Sequence, residues 1–406
     1  MLFDYLLISI RNLRRRGIRT WLTMLGIFIG IASVVSLISL GQGLKVSIDE
    51  QFQEMGTDKV FVMSGNSGDI ATAMLGSSNS LTEREEEIVS KVKGVKIATS
   101  SQYGSSSIVF KDETKYGMVI GYKTDETRRL FESMSNFEVE EGRHLKPNDK
   151  FKIVVGSEHW KGKIFSEEVD IGNTMIINSQ PFKVIGKVAP IGNPQDDAQI
   201  YIPFDTYNEL FDKGNEVGFI MAQVQEGEVV AEIADDIERA LRKFRNVKEG
   251  EEDFSVSTSD EMLESVSVIL DAVTAVFAGI AAISLVVGGI GIMNTMYTSV
   301  MERTTEVGVM KAIGARNSHI LTIFLIESGL LGVAGGIIGI TLGYLISKGV
   351  EIVTTQALGV EYLIAYFPNY LIFGALGFAF IVGAISGVLP AYQASKLNPV
   401  DSLRYE

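Results

Sequence analysis

Four long apolar stretches divide the chain into membrane-crossing and water-soluble parts. None of them contains a charged side chain, and they cover residues 20–44, 272–293, 328–347 and 362–395. About 20 consecutive apolar residues suffice to cross the core of a bilayer. The pattern therefore predicts a polytopic α-helical membrane protein with transmembrane helices at 20–44, 266–297, 316–347 and 368–390.

The first two predicted transmembrane helices enclose a large extracytoplasmic domain at 45–265. Within it, a strand–helix–strand order over 58–101 recurs over 217–259, with periods typical of short strands and amphipathic helices. We therefore predict an α+β domain with two related halves at 57–122 and 213–259 and an inserted β-rich lobe at 123–212.

The helix predicted at 81–94 begins with a dense acidic cluster. Thr82 is its expected N-cap, and four glutamates follow within five residues. Carboxylates stabilise the positive N-terminal end of a helix. We interpret the cluster as helix chemistry, with a calcium or catalytic site as the alternative.

The negative charge of the chain is concentrated in the outer domain. The whole sequence has a net charge of −14, whereas residues 44–265 hold 25 basic and 41 acidic residues and the remainder has a net charge of +2. A domain of this charge repels nucleic acid and anionic lipid headgroups. No nucleic-acid partner is expected.

Basic residues give the orientation in the cell membrane, since they collect on the cytoplasmic side. An amphipathic cytoplasmic segment at 1–19 carries five arginines, and its apolar continuation is too long for a cleaved signal peptide. The same rule places 298–315 and the tail at 391–406 inside, and an external loop at 348–367.

The residue types exclude most catalytic chemistry. The chain has no cysteine and only three histidines, which lie far apart without metal-ligand spacing. No phosphate-binding G-x-x-x-x-G-K-[ST] loop and no H-E-x-x-H or G-x-S-x-G motif occurs. We expect no catalytic, cofactor-binding or metal-binding residue, and no enzymatic activity in this chain.

A polar helix is predicted at 298–315, between the second and third transmembrane helices. Glu302 and Glu306 are four residues apart and share one predicted face, while Val307, Met310 and Ile313 form another. Gly314 offers a natural helix end. The pattern favours a docking helix, and a solvated helical loop is the alternative.

The last two transmembrane helices contain features that predict packing. Gly335, Gly339 and Gly343 stack along one face, which permits close helix contact either inside the bundle or with a second copy. Glu327 lies in apolar sequence and needs a partner or water. We expect the fourth helix to end at Pro390, and Asn398 to cap a last turn that begins at Pro399.

Three segments of the sequence also resemble a known family. Residues 301–315 read MERTTEVGVMKAIGA, residues 390–406 read PAYQASKLNPVDSLRYE, and Asn12, Arg14 and Arg19 precede the first apolar stretch. This resembles MacB/FtsX-type ABC transporter permeases, where E-R-x-x-E-I/V-G-x-x-K/R-A-I/L-G-A joins the second and third transmembrane helices. The resemblance covers the whole chain in architecture.

The resemblance implies a porter-like pair of βαβ halves with a β-rich insertion, and a homodimer with its first two helices and their stalks near the axis. It also implies two copies of a separate ABC ATPase, which bind the ATP and Mg. No ATPase precedes the first helix, so the likeness is to a stand-alone permease, without an implied adaptor or outer-membrane channel. The implied ATPase-coupling residues are Glu302, Arg303, Glu306, Val307, Met310, Lys311 and Ile313.

Three functions are compatible with this reading. The first is a permease subunit that couples ATP hydrolysis in a partner to motion of the outer domain, for MacB-like export or mechanotransmission. The second is an FtsX-like transmitter that regulates an extracytoplasmic partner, which the large outer domain disfavours. The third is an ATP-independent anchor or receptor, which has no use for the predicted docking helix.

Overall fold

The computed structural model describes residues 18–65, 80–133, 137–357 and 363–404. Most of the predicted segment 1–19, with Asn12 and Arg14, and part of the predicted external loop lie outside these residues. The described residues form a helical unit, made of 18–45, 269–354 and 363–404, and a second unit that mixes helices and strands.

The chain order of the elements is as follows. The helices are α1 (Ile18–Met55), α2 (Glu83–Ser90), α3 (Arg128–Glu132), α4 (Ser157–Trp160), α5 (Pro194–Asp197), α6 (Phe204–Phe211), α7 (Val230–Arg245), α8 (Ser259–Glu302), α9 (Thr304–Ala312), α10 (Asn317–Ala357), α11 (Asn369–Ser395) and α12 (Pro399–Arg404). The strands are β1 (Lys59–Ser64), β2 (Leu81–Thr82), β3 (Val95–Phe110), β4 (Glu113–Tyr122), β5 (Val139–Gly142), β6 (Lys152–Val155), β7 (Thr174–Ile177), β8 (Gln180–Val188), β9 (Ile200–Pro203), β10 (Glu216–Val217), β11 (Phe219–Val224) and β12 (Phe254–Thr258).

Among the described residues, four helices, α1, α8, α10 and α11, are long and apolar enough to cross a membrane, which agrees with the predicted number. Their ends differ from those that the apolar pattern predicts. Helix α8 continues to Glu302 instead of ending at residue 297, and α10 continues to Ala357 instead of residue 347. Hydropathy locates the part of a helix that suits lipid, whereas polar turns beyond that part also remain helical. The 44 residues of α8 extend over about 66 Å.

The prediction that the fourth transmembrane helix ends at Pro390 is wrong. Helix α11 passes through Pro390 and ends at Ser395. Proline removes one backbone donor, but membrane helices tolerate this loss where neighbouring groups hold the helix in place. Ala391 and Ala394, just beyond the proline, are fully buried, so packing continues across the missing hydrogen bond.

The predicted glycine face of α10 is buried inside the helical unit. A Cβ atom added at Gly339 would lie 2.8 Å from the Cβ of Ile31, and one added at Gly343 would lie 3.0 Å from the carbonyl oxygen of Ala32. Gly335 is buried as well. The absence of side chains at Gly339 and Gly343 therefore lets α1 approach α10 within one chain.

The second unit contains a four-stranded antiparallel sheet in the order β12-β1-β11-β3. The two predicted strand–helix–strand halves supply these strands, so their order along the chain is 4-1-3-2, the ferredoxin-like arrangement. Helices α2 and α7 contribute to its core, where Val89 and Ile237 are fully buried beside Val60 of β1 and Ile220 of β11. The recurrence seen in the sequence is therefore present in the fold.

Beyond this sheet, strand β3 continues into a closed ring of six strands. The ring runs β3-β4-β9-β6-β8-β7, and β7 pairs with both β8 and β3. Its interior is filled by apolar side chains from the facing strands, which include Ile108, Val119, Ile153, Met175, Phe182 and Ile200. The β-rich lobe predicted at 123–212 therefore begins earlier than predicted, since β4 and the end of β3 also belong to the ring. Closure of the ring removes exposed strand edges.

The acidic cluster at the start of α2 is paired within the unit. Thr82 is the N-cap, as predicted, and its backbone N–H donates to the carboxylate of Glu85 at 2.7 Å. Glu85 also pairs with Arg245, and Glu86 lies 2.7 Å from the Nζ of Lys123. These buried carboxylates join α2 to its neighbours.

His159 provides a testable link between acidity and the stability of this unit. Its ring lies against Phe165, and its Nε2 donates to the carbonyl oxygen of Ala198 at 2.9 Å. Burial lowers the pKa of His159 from 6.5 to about 4. Between these two pKa values the unfolded chain binds a proton at His159 that the folded chain does not. The free energy of unfolding is therefore highest above the ordinary pKa and falls as the pH decreases through this range.

We expect acidification from about pH 7 to about pH 5 to cost the wild-type unit about 2 kcal/mol through this residue. The variant His159→Gln should be less stable near neutrality but should lose less on acidification. Thermal unfolding of the full chain, followed at both pH values, measures the difference. His319→Gln, at an exposed position of α10, is the control. An equal loss in His159→Gln and wild type would contradict the assignment.

Candidate functional site

The helix break at Arg303 defines the candidate site. Helix α8 ends at Glu302 and α9 begins at Thr304, and Arg303 between them has φ −109° and ψ 20°. Backbone hydrogen bonds continue on both sides, from Arg303 N–H to Ser299 O at 3.2 Å and from Val307 N–H to Arg303 O at 3.0 Å. The break therefore interrupts the helix at one residue without leaving an open loop.

Glu302 and Glu306 lie on either side of this break. Glu302 is the last residue of α8, whereas Glu306 belongs to the first turn of α9. Because helical hydrogen bonds continue on both sides of Arg303, the shared face expected for the two glutamates stays a prediction. Both glutamates are exposed, so the site presents two carboxylates from two helices.

The three apolar residues of the predicted docking helix do not form one outward face. Val307 is fully buried in the core of the helical unit, and Met310 packs against that core. Ile313, in contrast, is 82% exposed. It follows the last helical residue as the C-cap, so the helical period no longer governs its direction.

Helix α9 ends in a defined turn, as Gly314 predicts. Gly314 has φ +101°, a conformation that glycine adopts without strain. Its N–H donates to Lys311 O at 3.0 Å, and the N–H of Ala315 donates to Met310 O at 3.0 Å. This pair of bonds is a Schellman motif, which fixes where the chain leaves α9 for α10.

Arg303 points mainly into the helical unit. Its Nη1 lies 3.0 Å from Oε2 of Glu327 on α10, and its Nε lies 2.7 Å from Oε2 of Glu306. The guanidinium group also lies over the ring of Phe324, 5.5 Å from its centroid. Arg303, at the break between α8 and α9, is therefore a partner of the buried Glu327.

Lys311 also makes its contact within the chain. Its Nζ donates to the carbonyl oxygen of Leu397 at 2.7 Å, just after the end of α11. Asn398 follows, and its side chain accepts from Val400 N–H at 3.4 Å, which confirms its predicted capping position before α12. Lys311 thus connects α9 to the segment between α11 and α12.

A groove of about 660 Å³ lies beside α9. It is bordered by the end of α8, the start of α9 and the segment around α12. Its lining residues are Met301, Thr304, Thr305, Tyr392, Gln393, Lys396, Leu397, Asn398 and Ser402. This is an open, mixed polar and apolar surface of the helical unit.

The structure therefore separates the predicted coupling residues into two groups. Glu302, Glu306 and Ile313 are exposed, whereas Arg303, Val307, Met310 and Lys311 make contacts inside the helical unit. Sequence reasoning missed the pairing of Arg303 with Glu327. The signal was the isolated carboxylate of Glu327 in an apolar helix, but its partner lies 24 residues away.

Four membrane-crossing helices with a large domain between the first two define a multi-pass permease architecture. Two family models match it: the MacB-like periplasmic core domain over residues 20–240 and the FtsX-like permease C-terminal region over residues 278–399. The chain belongs to the MacB/FtsX-like family of ABC transporter permeases.

Full-length relatives agree with this assignment. The chain is 36% identical to an uncharacterized ABC transporter permease of Methanocaldococcus jannaschii, over 99% of this chain and 98% of the relative. It is 29% identical to the uncharacterized ABC transporter permease YknZ of Bacillus subtilis, over 100% of both chains. It is 31% identical to the macrolide export ATP-binding/permease protein MacB of Campylobacter fetus, over 100% of this chain but 61% of MacB.

A comparison with solved structures finds the periplasmic region of MacB from Actinobacillus actinomycetemcomitans, with a TM-score of 0.44 and 20% identity, over 54% of this chain and 97% of that structure.

The protein is a multi-pass cell-membrane protein whose large domain is extracytoplasmic. Because α8 crosses the membrane once from that domain, its end at Glu302 and the helix α9 lie on the cytoplasmic side.

Proposed function

We propose that this chain is a permease subunit that couples ATP hydrolysis by a separate ABC ATPase to motion of its extracytoplasmic domain. The chain itself is not catalytic, and the ATP and Mg are bound by the ATPase. The observation that carries the proposal is α9, a separate nine-residue helix on the cytoplasmic side. One side of α9 is built into the helical unit, and the other offers an acidic surface to a partner.

The inner side of α9 makes it a rigid docking element. Val307 is completely buried, and burial of a valine side chain stabilises by about 1.5–3 kcal/mol. Lys311 adds the hydrogen bond to Leu397 O, and Arg303 adds the pair with Glu327. A solvated loop, the alternative reading of this segment, does not require such contacts.

The outer side of α9 is acidic and partly apolar, which suits a basic surface on a partner. Glu302 is exposed, and the side chain of Glu306 is 63% exposed. Ile313, 82% exposed, adds an apolar contact at the other end of α9. Complementary charge steers association and fixes orientation, and the adjacent groove could receive side chains of the same partner.

Two ATPases that act together require two docking sites, which a homodimer supplies by symmetry. We propose that α1 and α8 of each copy lie near the dimer axis. These helices touch each other within one chain: a Cβ atom at Gly26 would lie 2.7 Å from Gly288 N. Large apolar side chains of α8 such as Ile283 face outward, 68% exposed, toward lipid or the second copy.

The motion of the extracytoplasmic domain has two candidate uses. One is export of the kind for which the MacB relatives are named. The other is FtsX-like transmission to an extracytoplasmic partner, which exposed apolar side chains on the outer domain favour. Tyr116 and Met118 of β4 and Ile176 of β7 are such side chains, with exposures of 81%, 39% and 40%.

Reconstitution of the purified chain with its ABC ATPase tests the proposal. We expect a complex of two permeases and two ATPases by mass measurement, and faster ATP hydrolysis by the ATPase when the permease is present. ATPase alone and permease alone are the controls. An ATPase that neither binds nor changes its turnover would overturn the proposed coupling and leave only an anchor or receptor role.

A further inference from the structure

A buried ion pair connects the start of α9 directly to α10. Glu327 is fully buried, and its Oε2 lies 3.0 Å from Nη1 of Arg303. The Arg303 side chain is only 17% exposed, and its guanidinium group also lies over the ring of Phe324. Both charges therefore rely on groups inside the helical unit.

The two carboxylates that contact Arg303 differ in how firmly they hold it. The side chain of Glu306 is 63% exposed, whereas that of Glu327 is 1% exposed. Water and salt weaken an exposed pair. A buried pair, in contrast, is strongly destabilised when one charge is separated from the other. A displacement of Arg303 is therefore opposed mainly through Glu327.

The position of Arg303 adds α8 to this connection. It lies at the break between α8 and α9, so its side chain links both helices to α10. Helix α9 is also held by Val307 in the core cluster that contains Phe324 and Ile320 of α10. When α9 shifts as a body, α10 must follow or the buried pair must separate.

We propose that Arg303 is a positioning residue that passes displacement of α9 to α10 through Glu327. This inference rests on the proposed function, and it names α10 as a helix that receives the displacement of α9. The pair of Arg303 with Glu327 is buried in the helical unit, so we expect it to contribute to transmission more than to docking.

The substitution Glu327→Gln tests this role because it removes the charge and keeps the shape and a hydrogen-bond acceptor. We expect the reconstituted variant to bind the ATPase with unchanged affinity but to stimulate its turnover about tenfold less than wild type. Glu351→Gln removes another ion-paired carboxylate of α10, whose partner is Lys348, and is the matched control. It should retain most of the stimulation.

A double variant separates transmission from simple stability. Arg303→Gln alone removes the positive charge beside the buried Glu327 and should lower thermal stability. Arg303→Gln with Glu327→Gln removes both charges and should regain stability while remaining uncoupled. Arg303→Lys, which keeps the charge, should restore part of the stimulation.

The outcomes distinguish this inference from the function on which it rests. If wild type stimulates the ATPase and the double variant does so equally well once its stability returns, the pair is structural only and the inference is wrong. Normal stimulation by Glu327→Gln would also overturn it. If wild type itself fails to bind or stimulate the ATPase, the proposed function fails first.

Discussion

Replacing Glu302 and Glu306 together by lysine is expected to abolish association with the ABC ATPase while the permease remains folded in the membrane. Both side chains are exposed at the cytoplasmic end of α8 and the start of α9. Lysines would face the proposed basic surface, and like charges across an interface cost several kcal/mol. Affinity should fall on the order of 100-fold or more, measured by co-purification and by titration of ATPase stimulation.

Two further variants make this result specific. Glu302→Lys alone leaves the contact between Arg303 and Glu306 in place, so a partial loss of binding there can be attributed to docking. Asn317→Lys with Val400→Lys adds two positive charges at exposed positions of the same helical unit and should bind normally. Unimpaired binding by the Glu302→Lys and Glu306→Lys double variant would show that α9 is not the docking site.

The docking surface was partly predictable from sequence. The glutamates, the glycine stop and the polar insertion between apolar stretches were all visible, and they gave the correct location of a short helix. The assignment of its apolar face was wrong because Val307 is buried in the helical unit and Ile313 follows the last helical residue. The pairing of Arg303 with Glu327 joins two helices and leaves no local signal.

The outer domain shows the same division between local and long-range information. The recurrence of strand–helix–strand order predicted the two halves, since hydrophobic period and turn residues are local. Closure of the ring was not predictable in this way. It requires Ile108 of β3 to pair with Ile177 of β7, and either strand would have the same alternating pattern at a sheet edge.

Close packing between α10 and α11 gives the prediction with the largest effect on stability. At Gly332 of α10, an added Cβ atom would overlap the carbonyl oxygen of Ala379 on α11 and lie 3.1 Å from the Cα of Gly383. Backbone atoms cannot move aside as a flexible side chain can. At Gly349 of the same helix, nothing lies within 4 Å of the added atom.

We therefore expect Gly332→Ala to destabilise the helical unit by about 1–3 kcal/mol or more, because α11 must move away from α10. Gly349→Ala should be neutral or stabilising by up to about 1 kcal/mol, since alanine favours a helix more than glycine does. Thermal unfolding of the detergent-solubilised chain, with yield of monodisperse protein, compares the two. The substitutions are chemically identical and share one helix, so equal stability in both variants would show that α10 and α11 do not pack closely at Gly332.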